Sequence, residues 1–387
     1  MRLQLAERLV KYRRGILFSI LALGPGGAQA GVLPEDRADV LYHLYDGGGV
    51  QIDGPSVLVR KQVGNSTSLF ANYYVDMISS ASIDVITTAS PYREERTQWS
   101  LGMDYLHGNT TMSIGFLTSD EPDYDATSFS FSVSQDMFSD LTTLTLMYVL
   151  GDDTVRNVSD PTFEQGIDRQ IYGIGLTQIL TRNMIAAVNF ETITEEGFLN
   201  NPYRSVRYAD AGSAIGYSYE PELYPNTRTS NVLGIRVKYH LPYRAAIEGE
   251  YRYFTDTWDI DGHTAAISYV HPLGPWTFKA KLRFHDQTGA HFFRDIFPRS
   301  QATNFRGRDK ELSPLTSSSF RLAASYDLIG GAVGRGFIKK ATVSAAIEFL
   351  HIDYDEFKDL STGAAYGAEP LYTLEANIFQ LFFSVWY

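Results

Sequence analysis

The stretch that decides the fold is Ile378 to Tyr387, which reads Ile-Phe-Gln-Leu-Phe-Phe-Ser-Val-Trp-Tyr. Counted back from the last residue, every second side chain is apolar or aromatic: Tyr387, Val385, Phe383, Leu381 and Phe379. The side chains between them form a mixed set that includes Gln380 and Ser384. A period of two is that of a β-strand, so this stretch predicts a strand with one face in apolar surroundings.

Two kinds of protein place such a strand next to an aromatic last residue. One is a soluble β-sandwich, in which the strand is buried. The other is a bacterial outer-membrane β-barrel, whose closing strand carries a signal for the barrel assembly machinery. In that case the signal comprises Phe379, Leu381, Phe383, Val385 and Tyr387. The stretch alone does not separate the two, so the rest of the chain has to decide.

The N-terminal residues have the pattern of a secretory signal peptide. Five basic residues between Arg2 and Arg14 precede an apolar run from Gly15 to Leu23, which is followed by Ala28-Gln29-Ala30. The run is too short to cross about 30 Å of hydrocarbon as a membrane anchor. We therefore predict that residues 1–30 are cleaved off after export. Residues 31–387 then form one domain.

Composition excludes several classes of protein. Without residues 1–30 the chain has 28 basic and 44 acidic residues, a net charge of −16, which is the wrong sign for a nucleic-acid binder. The absence of cysteine excludes disulfides, thiolate metal sites and cysteine nucleophiles. The sequence indicates no cofactor.

From Asp39 onward we count sixteen segments of about 8 to 14 residues that alternate in hydrophobicity, with short and long connectors between them in turn. The clearest is Ala126 to Gln135, where four serines alternate with Phe129, Phe131 and Val133. An even strand number places both ends of the chain on one side. The pattern predicts a transmembrane antiparallel β-barrel of about sixteen strands, with short periplasmic turns and long extracellular loops.

Aromatic residues near the segment ends favour the barrel over the sandwich, because membrane barrels carry aromatic girdles at both interfaces. Examples are Trp99, Tyr105, Tyr239, Tyr269 and Tyr326. The protein is then expected in the outer membrane of a Gram-negative cell, in contact with lipid and lipopolysaccharide.

The weakest of the sixteen patterns is Asp39 to Tyr45. As a strand it has to pair with Ile378 to Tyr387 to close the wall. As a plug or tether it leaves the closing strand with a different neighbour, and the strand count changes.

Six stretches together resemble a family of proteobacterial outer-membrane barrels catalogued as domain of unknown function 3570. The resemblance covers nearly all of the mature chain and implies an outer-membrane location but no catalytic residues. Genes of this family often lie beside those of periplasmic thioredoxin-like and flavin-transferring proteins, which implies possible periplasmic redox partners. The stretches are Tyr73 to Asp76, Ser79 to Tyr92, Gln135 to Phe138, Gln178 to Asn183, Glu196 to Arg204 and His271 to Gly274.

Charged residues share the inward face of three predicted strands. We hypothesise that Lys279, Lys281 and Arg283 attract anionic solutes, because charged walls filter solutes in a wet pore. The alternative is that these groups pair with one another and solvate a plugged interior. The full set is Arg236, Lys238, His240, Glu248, Glu250, Arg252, Lys279, Lys281, Arg283 and His285.

Acidic residues cluster in two predicted loops, Ser119 to Asp125 and His351 to Pro370, where carboxylates at close spacing can hold Ca²⁺ or Mg²⁺. Solvated loop charge is the alternative, and no EF-hand spacing is present. The weak metal candidates are Asp120, Asp123, Asp125, Asp353 and Asp355.

Enzyme signatures are poor. The glycine-rich stretch Gly330 to Gly336 lacks the Lys-Ser/Thr that completes a phosphate-binding loop. No nucleophile and base can be paired by spacing, so we predict that the protein is not an enzyme.

The sequence thus predicts a porin-like channel or transporter for a small solute or cofactor, and the basic residues add the hypothesis that this solute is anionic. The first alternative is a non-conducting scaffold that docks periplasmic redox or flavin-linked partners, and the second is an outer-membrane enzyme. The predicted loops Thr194 to Thr229 and Asp286 to Thr316 are long enough to fold into the barrel. An open axis favours transport, and a lumen blocked throughout favours the scaffold.

Overall fold

A computed structural model describes residues 32–80, 92–329 and 337–387 of the chain. The predicted signal peptide and the glycine-rich stretch at 330–336 lie outside these residues, as does most of the family stretch between Ser79 and Tyr92. The strands are β1 Arg37–Gly47, β2 Val50–Val63, β3 Thr67–Ser80, β4 Tyr92–His107, β5 Thr110–Glu121, β6 Tyr124–Met137, β7 Thr142–Asn157, β8 Asp160–Thr181, β9 Met184–Gly197, β10 Ser205–Ala209, β11 Tyr217–Pro221, β12 Thr227–His240, β13 Ala246–Asp256, β14 Asp261–Leu273, β15 Trp276–Gln287, β16 Leu315–Ile329, β17 Lys340–Lys358 and β18 Leu371–Trp386. A 3₁₀ helix spans Lys310–Leu312.

Sixteen of these strands form one closed antiparallel barrel, in which each strand pairs with its neighbours in chain order and β9 pairs directly with β12. The short strands β10 and β11 form a separate two-stranded sheet. Closure pairs the backbone N–H and C=O groups that an open sheet edge would expose to lipid. The predicted sixteen-stranded barrel is confirmed.

The wall closes between β1 and β18, where Arg37 lies opposite Trp386 and Gly47 lies opposite Ala376. Asp39 to Tyr45 is therefore a barrel strand. Glycine is required at position 47, because a Cβ there would lie 2.2 Å from the Cβ of Ala376.

An apolar belt surrounds the barrel. Its side chains occupy the outward-facing positions of the strands, here called the outward parity. Serine, glycine and charged residues occupy the alternate, inward-facing positions, here called the inward parity. On β6 the outward residues Phe129 and Phe131 are exposed, as the sequence predicts. Other exposed belt residues are Leu69, Trp99, Leu101, Ile114, Leu146, Ile174, Val188, Ile235, Ile267, Leu282, Phe320, Ile347, Phe379, Leu381 and Phe383.

Several strands continue beyond the ends that hydrophobic alternation predicts. The predicted acidic loop Ser119 to Asp125 consists of the ends of β5 and β6, joined only by Pro122 and Asp123. The predicted loop up to Asp168 is likewise strand from Asp160 onward. Beyond the apolar belt, backbone hydrogen bonds continue the ladder without an apolar face. The sequence pattern therefore ends before the strand does.

The two ends of the barrel differ. At the end that holds Arg37 and Trp386, here called the terminal end, the connectors 108–109, 182–183 and 274–275 are tight turns. At the opposite end, called the loop end, the connectors 198–226, 288–314 and 359–370 are long. Two-residue turns also occur at the loop end, as between β7 and β8. Among the described residues, no helix is long and apolar enough to cross a membrane.

Candidate functional site in the lumen

The three long connectors 198–226, 288–314 and 359–370 together form what is here called the cap. Backbone hydrogen bonds join the first two, since Ala209 N–H donates to Phe297 C=O (2.8 Å) and Phe297 N–H donates to Arg207 C=O (2.9 Å). A second pair of bonds links Leu223 and Arg306 in both directions, at 2.9 and 2.7 Å. The cap is thus a hydrogen-bonded unit rather than a set of independent loops.

The cap folds into the barrel. Its apolar side chains pack against residues of the inward parity on β12, β13, β17 and β18, in a cluster with a fully buried centre. Burial of this cluster fixes the cap inside the loop end of the lumen. The members include Tyr224, Ala290, Phe292, Phe293 and Leu312 from the cap and Val232, Phe254, Tyr354, Phe357, Tyr372, Leu374 and Ala376 from the wall.

The cap also reaches the opposite wall. Leu199 packs against this cluster and against a second one, formed by inward residues of β6, β7 and β8 that include Tyr124 and Val155. The cap therefore crosses the lumen. Inward folding of both long loops agrees with the prediction from their length.

A buried arginine ties the three connectors together. Arg207 is 1 % exposed, donates to Glu369 Oε1 at 2.6 Å and forms a salt bridge with Asp295. Arg308 donates to the same Asp295 at 2.9 Å. Although burial alone raises the pKa of the Glu369 carboxyl, the hydrogen bond from Arg207 lowers it below its usual value. These four residues are here called the Arg207 latch.

A second buried carboxylate, Glu222, lies inside the cap. It accepts hydrogen bonds from the Tyr224 hydroxyl at 2.6 Å and from the Arg308 N–H at 2.7 Å. Asp309 is close by and pairs with Arg204 at 2.5 Å. Burial raises the pKa of Glu222 to about 7, and the Arg204 charge offsets only part of that effect.

We expect the cap to lose stability as the pH rises. Between about pH 4.5 and 7 the folded cap keeps a proton on Glu222 that the unfolded segment releases, so the free energy of unfolding falls by about 3 kcal/mol across this range. The denaturant midpoint of the cap, followed by the fluorescence of buried Trp258, should be lower at pH 8 than at pH 5.5.

The matched control is Glu222→Gln, which keeps acceptor and donor atoms for Arg308 and Tyr224 but does not titrate. Its midpoint should change much less between the two pH values. An equal pH dependence in the wild type and in Glu222→Gln would contradict the assignment. Below about pH 4.5 both proteins should weaken, because protonation of Glu369 removes the charge that Arg207 pairs with.

Beneath the cap, one side of the lumen is basic. Every residue of the predicted lumen set has the inward parity of its strand. Lys238 is exposed to the lumen, and Lys279, Lys281 and Arg283 are partly exposed. The wall formed by β12 to β17 is here called the basic wall.

The acids of the basic wall neutralise only part of its charge. Glu250 contacts Arg236 at 3.3 Å and Lys281 at 2.6 Å. Among the described residues, no salt bridge joins Lys238 or Lys279 to a carboxylate. Sequence reasoning missed one further pair here, Arg321 with Glu348 at 3.3 Å.

The two histidines of the predicted set lie at the margins of the basic wall. His285 is buried and contacts the Thr264 hydroxyl at 2.9 Å and Gln287, whose amide donates to the cap. His240 is the last residue of β12, at the terminal end. His285 therefore belongs to the contact between wall and cap rather than to the open lumen.

The middle of the inward face of β6 is small and neutral. Ser128, Ser130, Ser132 and Ser134 of β6 point inward, seven strand positions from β15 in the order of the barrel. Neighbouring inward positions hold Gly115, Thr145 and Gly173. Inward charges on the other strands occur mainly in pairs, such as Arg60 with Asp104, and Glu191 of β9 interacts with Arg252 of the basic wall.

The weak metal candidates do not converge. Asp120 pairs with Asp125 across β5 and β6, and Asp125 forms a salt bridge with Arg156 at 2.5 Å. Asp353 contacts His351 at 3.1 Å. Across the three ranges that the structure covers, no group of three or more His, Asp or Glu residues is arranged to hold a metal ion.

The outer wall carries histidines that could take part in an enzyme site. Such a site would need a serine, a histidine and an acid within hydrogen-bond reach of one another. His263 Nδ1 lies 2.8 Å from the Tyr251 hydroxyl, and His351 contacts the carboxylates of Asp353 and Glu375 at 3.1 and 3.6 Å. None of these contacts includes a serine.

Of the predicted assembly signal, Phe379, Leu381 and Phe383 face outward and are exposed in the belt. Tyr387 is held instead at the seam, where its hydroxyl donates to Arg60 C=O at 3.0 Å and its ring stacks on Phe337. Recognition by the assembly machinery remains a prediction.

The closed strand order, the apolar belt and the polar lumen define the class of this protein as a transmembrane β-barrel of the outer-membrane type. The chain belongs to the family described as "Protein of unknown function (DUF3570)", whose model matches residues 79–385. This match confirms the family resemblance. A search of curated proteins gives no match.

Solved outer-membrane proteins are similar to the chain at low identity. A "Bacterial polysaccharide outer membrane secretin" is 8% identical, with 91% of this chain and 99% of that chain covered and a TM-score of 0.49. A Pseudomonas aeruginosa FadL homologue is 8% identical, with 94% and 93% covered and a TM-score of 0.45. The CymD monoaromatic hydrocarbon channel is 9% identical, with 95% and 92% covered and a TM-score of 0.44. The class rests on strand order and belt rather than on these likenesses.

Proposed function

We propose that the protein is a porin-like channel of the outer membrane that conducts anionic solutes and that the cap gates it. The observation that carries the proposal is the basic wall, whose lysines face a polar lumen inside a closed barrel. Fixed positive charges in such a lumen raise the local concentration of anions and reduce that of cations.

The position of the cap favours a gated pore over a permanently open one. Its core crosses the lumen at the loop end, whereas the lumen beneath it is lined by serine, glycine and charged side chains. Passage of a solute then requires the cap to move. Outer-membrane barrels have their short turns in the periplasm. We therefore place the terminal end of the barrel in the periplasm, so that the cap faces outward.

Planar-bilayer conductance tests the proposal. We expect the wild type to show openings with an anion-selective reversal potential in a potassium chloride gradient. A variant in which residues 290–311 are replaced by a short Gly-Ser linker should conduct more and stay open longer, because the main part of the cap core is removed.

The second candidate is a non-conducting scaffold for periplasmic redox or flavin-linked partners, and the same cap favours it, since it crosses the lumen. If neither the wild type nor the linker variant conducts although both are folded, the channel proposal fails and the scaffold is favoured. Folding can be verified by heat-modifiable electrophoretic mobility.

A further inference from the structure

The basic groups of the lumen are spread over a surface rather than gathered at one point. On β15, Lys279, Lys281 and Arg283 occupy successive inward positions. Inward positions on one strand are about 6.6 Å apart, so these three cover about 13 Å along the strand.

Strand register extends this surface sideways. Arg321 lies directly opposite Lys281 on the neighbouring strand β16. In the other direction, Lys281 lies opposite Ser268, Ser268 opposite Glu248, and Glu248 opposite Lys238. From β12 to β16 the row crosses four strand spacings, about 19 Å. The basic groups are thus spread over an area of about 13 by 19 Å that also contains Ser268 and Glu248.

This surface keeps a net positive charge. Apart from pairs at the strand ends, the inward residues of β12 to β17 include seven basic groups and three acids, a net charge of +4. Glu191 of the adjacent strand β9 offsets part of the Arg252 charge. The basic groups are Arg236, Lys238, Arg252, Lys279, Lys281, Arg283 and Arg321, and the acids are Glu248, Glu250 and Glu348.

The size and charge of this surface select among anions. A small monovalent anion reaches two or three of the basic groups and leaves the others unused. A chain with several anionic groups can contact the whole surface at once, and each added contact is intramolecular after the first. The four inward serines of β6 carry no charge, so they do not add to this surface.

We propose that the basic wall binds extended polyanions, that is, linear molecules with several negative groups, in preference to small monovalent anions. This inference names the ligand class of the proposed anion pathway and rests on it. Chains of sugar acids and chains of phosphates share the required chemistry.

The test uses two polyanions, linear hexagalacturonate and linear hexaphosphate, with galacturonate and inorganic phosphate as their monomers and neutral maltohexaose as the size control. Binding to the purified full-length protein is measured by titration calorimetry, and block of the bilayer current is measured in parallel. We expect at least one hexamer to bind at least tenfold more tightly than its monomer at equal charge concentration. Binding of hexagalacturonate would identify sugar-acid chains as the ligand class, and binding of hexaphosphate would identify phosphate chains.

Two variants with equal charge change separate the basic wall from general electrostatics. Lys279→Gln with Lys281→Gln and Arg283→Gln should weaken hexamer binding at least tenfold. Lys61→Gln with Arg182→Gln and Arg244→Gln, at exposed positions on the outer face of β2 and in two turns of the terminal end, should leave it unchanged.

The inference is overturned if both hexamers bind no better than their monomers, or if maltohexaose binds equally well. It is also overturned if the two triple variants weaken binding equally. Hexamer binding without any conductance, even after removal of residues 290–311, would instead refute the channel proposal and leave the binding surface in place.

Discussion

Replacement of Arg207 by alanine should release the cap. The side chain is buried and pairs with Asp295 and Glu369, so its removal leaves two carboxylates without their shared partner. Breaking a buried ion pair from one side costs about 3 to 5 kcal/mol. We expect faster proteolytic cleavage within 198–226 and, if the channel proposal holds, a higher open probability in bilayers.

Exposed Arg299 provides the matched control for Arg207, since Arg299→Ala removes the same charge from the same cap. Its cleavage rate should equal that of the wild type. The loss of stability in the double variant Arg207→Ala with Glu369→Ala should be smaller than the sum of the losses in the two single variants. The reason is that the partner carboxylate is removed together with the arginine. Unchanged protease resistance in Arg207→Ala would show that the latch does not hold the cap.

Reversal of charge at three positions of the basic wall should reverse the selectivity of the channel. Lys279→Glu with Lys281→Glu and Arg283→Glu changes the charge of the wall from +4 to −2. The ratio of chloride to potassium permeability should fall by about tenfold or more, and the reversal potential should change sign. The effect should shrink as salt rises, because the Debye length falls to about 3 Å at 1 M.

The corresponding exterior variant, Lys61→Glu with Arg182→Glu and Arg244→Glu, controls for net charge and should keep the wild-type selectivity. Lys281→Glu also places a second carboxylate beside Glu250, so the glutamine triple variant serves as a milder test with an intermediate shift. If the wild type, the two triple variants of the basic wall and the exterior variant all have the same selectivity, Lys279, Lys281 and Arg283 do not line the ion pathway.

The barrel could be predicted because its signal is local. Phe129 and Phe131 alternate with serines on β6, and this period of two is imposed by contact with lipid on one face and water on the other. The same period placed Lys279, Lys281 and Arg283 on one face before any contact was known. Where lipid contact ends, as at Ser119 to Asp125, the period ends too, and the prediction of a loop there was wrong.

The cap could not be predicted in detail because its contacts are not local. Arg207 and Glu369 are 162 residues apart in the chain, and no periodic pattern relates them. The sequence indicated a long loop between Thr194 and Thr229 that holds many Tyr, Arg and Pro residues. It could not indicate which carboxylates those arginines would meet.

By itself, the sequence determined all but the weakest of the sixteen barrel strands, the parity of the lumen charges and the strand character of Ile378 to Tyr387, since side-chain alternation follows directly from strand geometry. Only the tertiary structure decided that Asp39 to Tyr45 closes the wall, that Glu222 is buried with a raised pKa and that the cap crosses the lumen. The reason is physical: closure, burial and ion pairing depend on which distant segments meet in three dimensions.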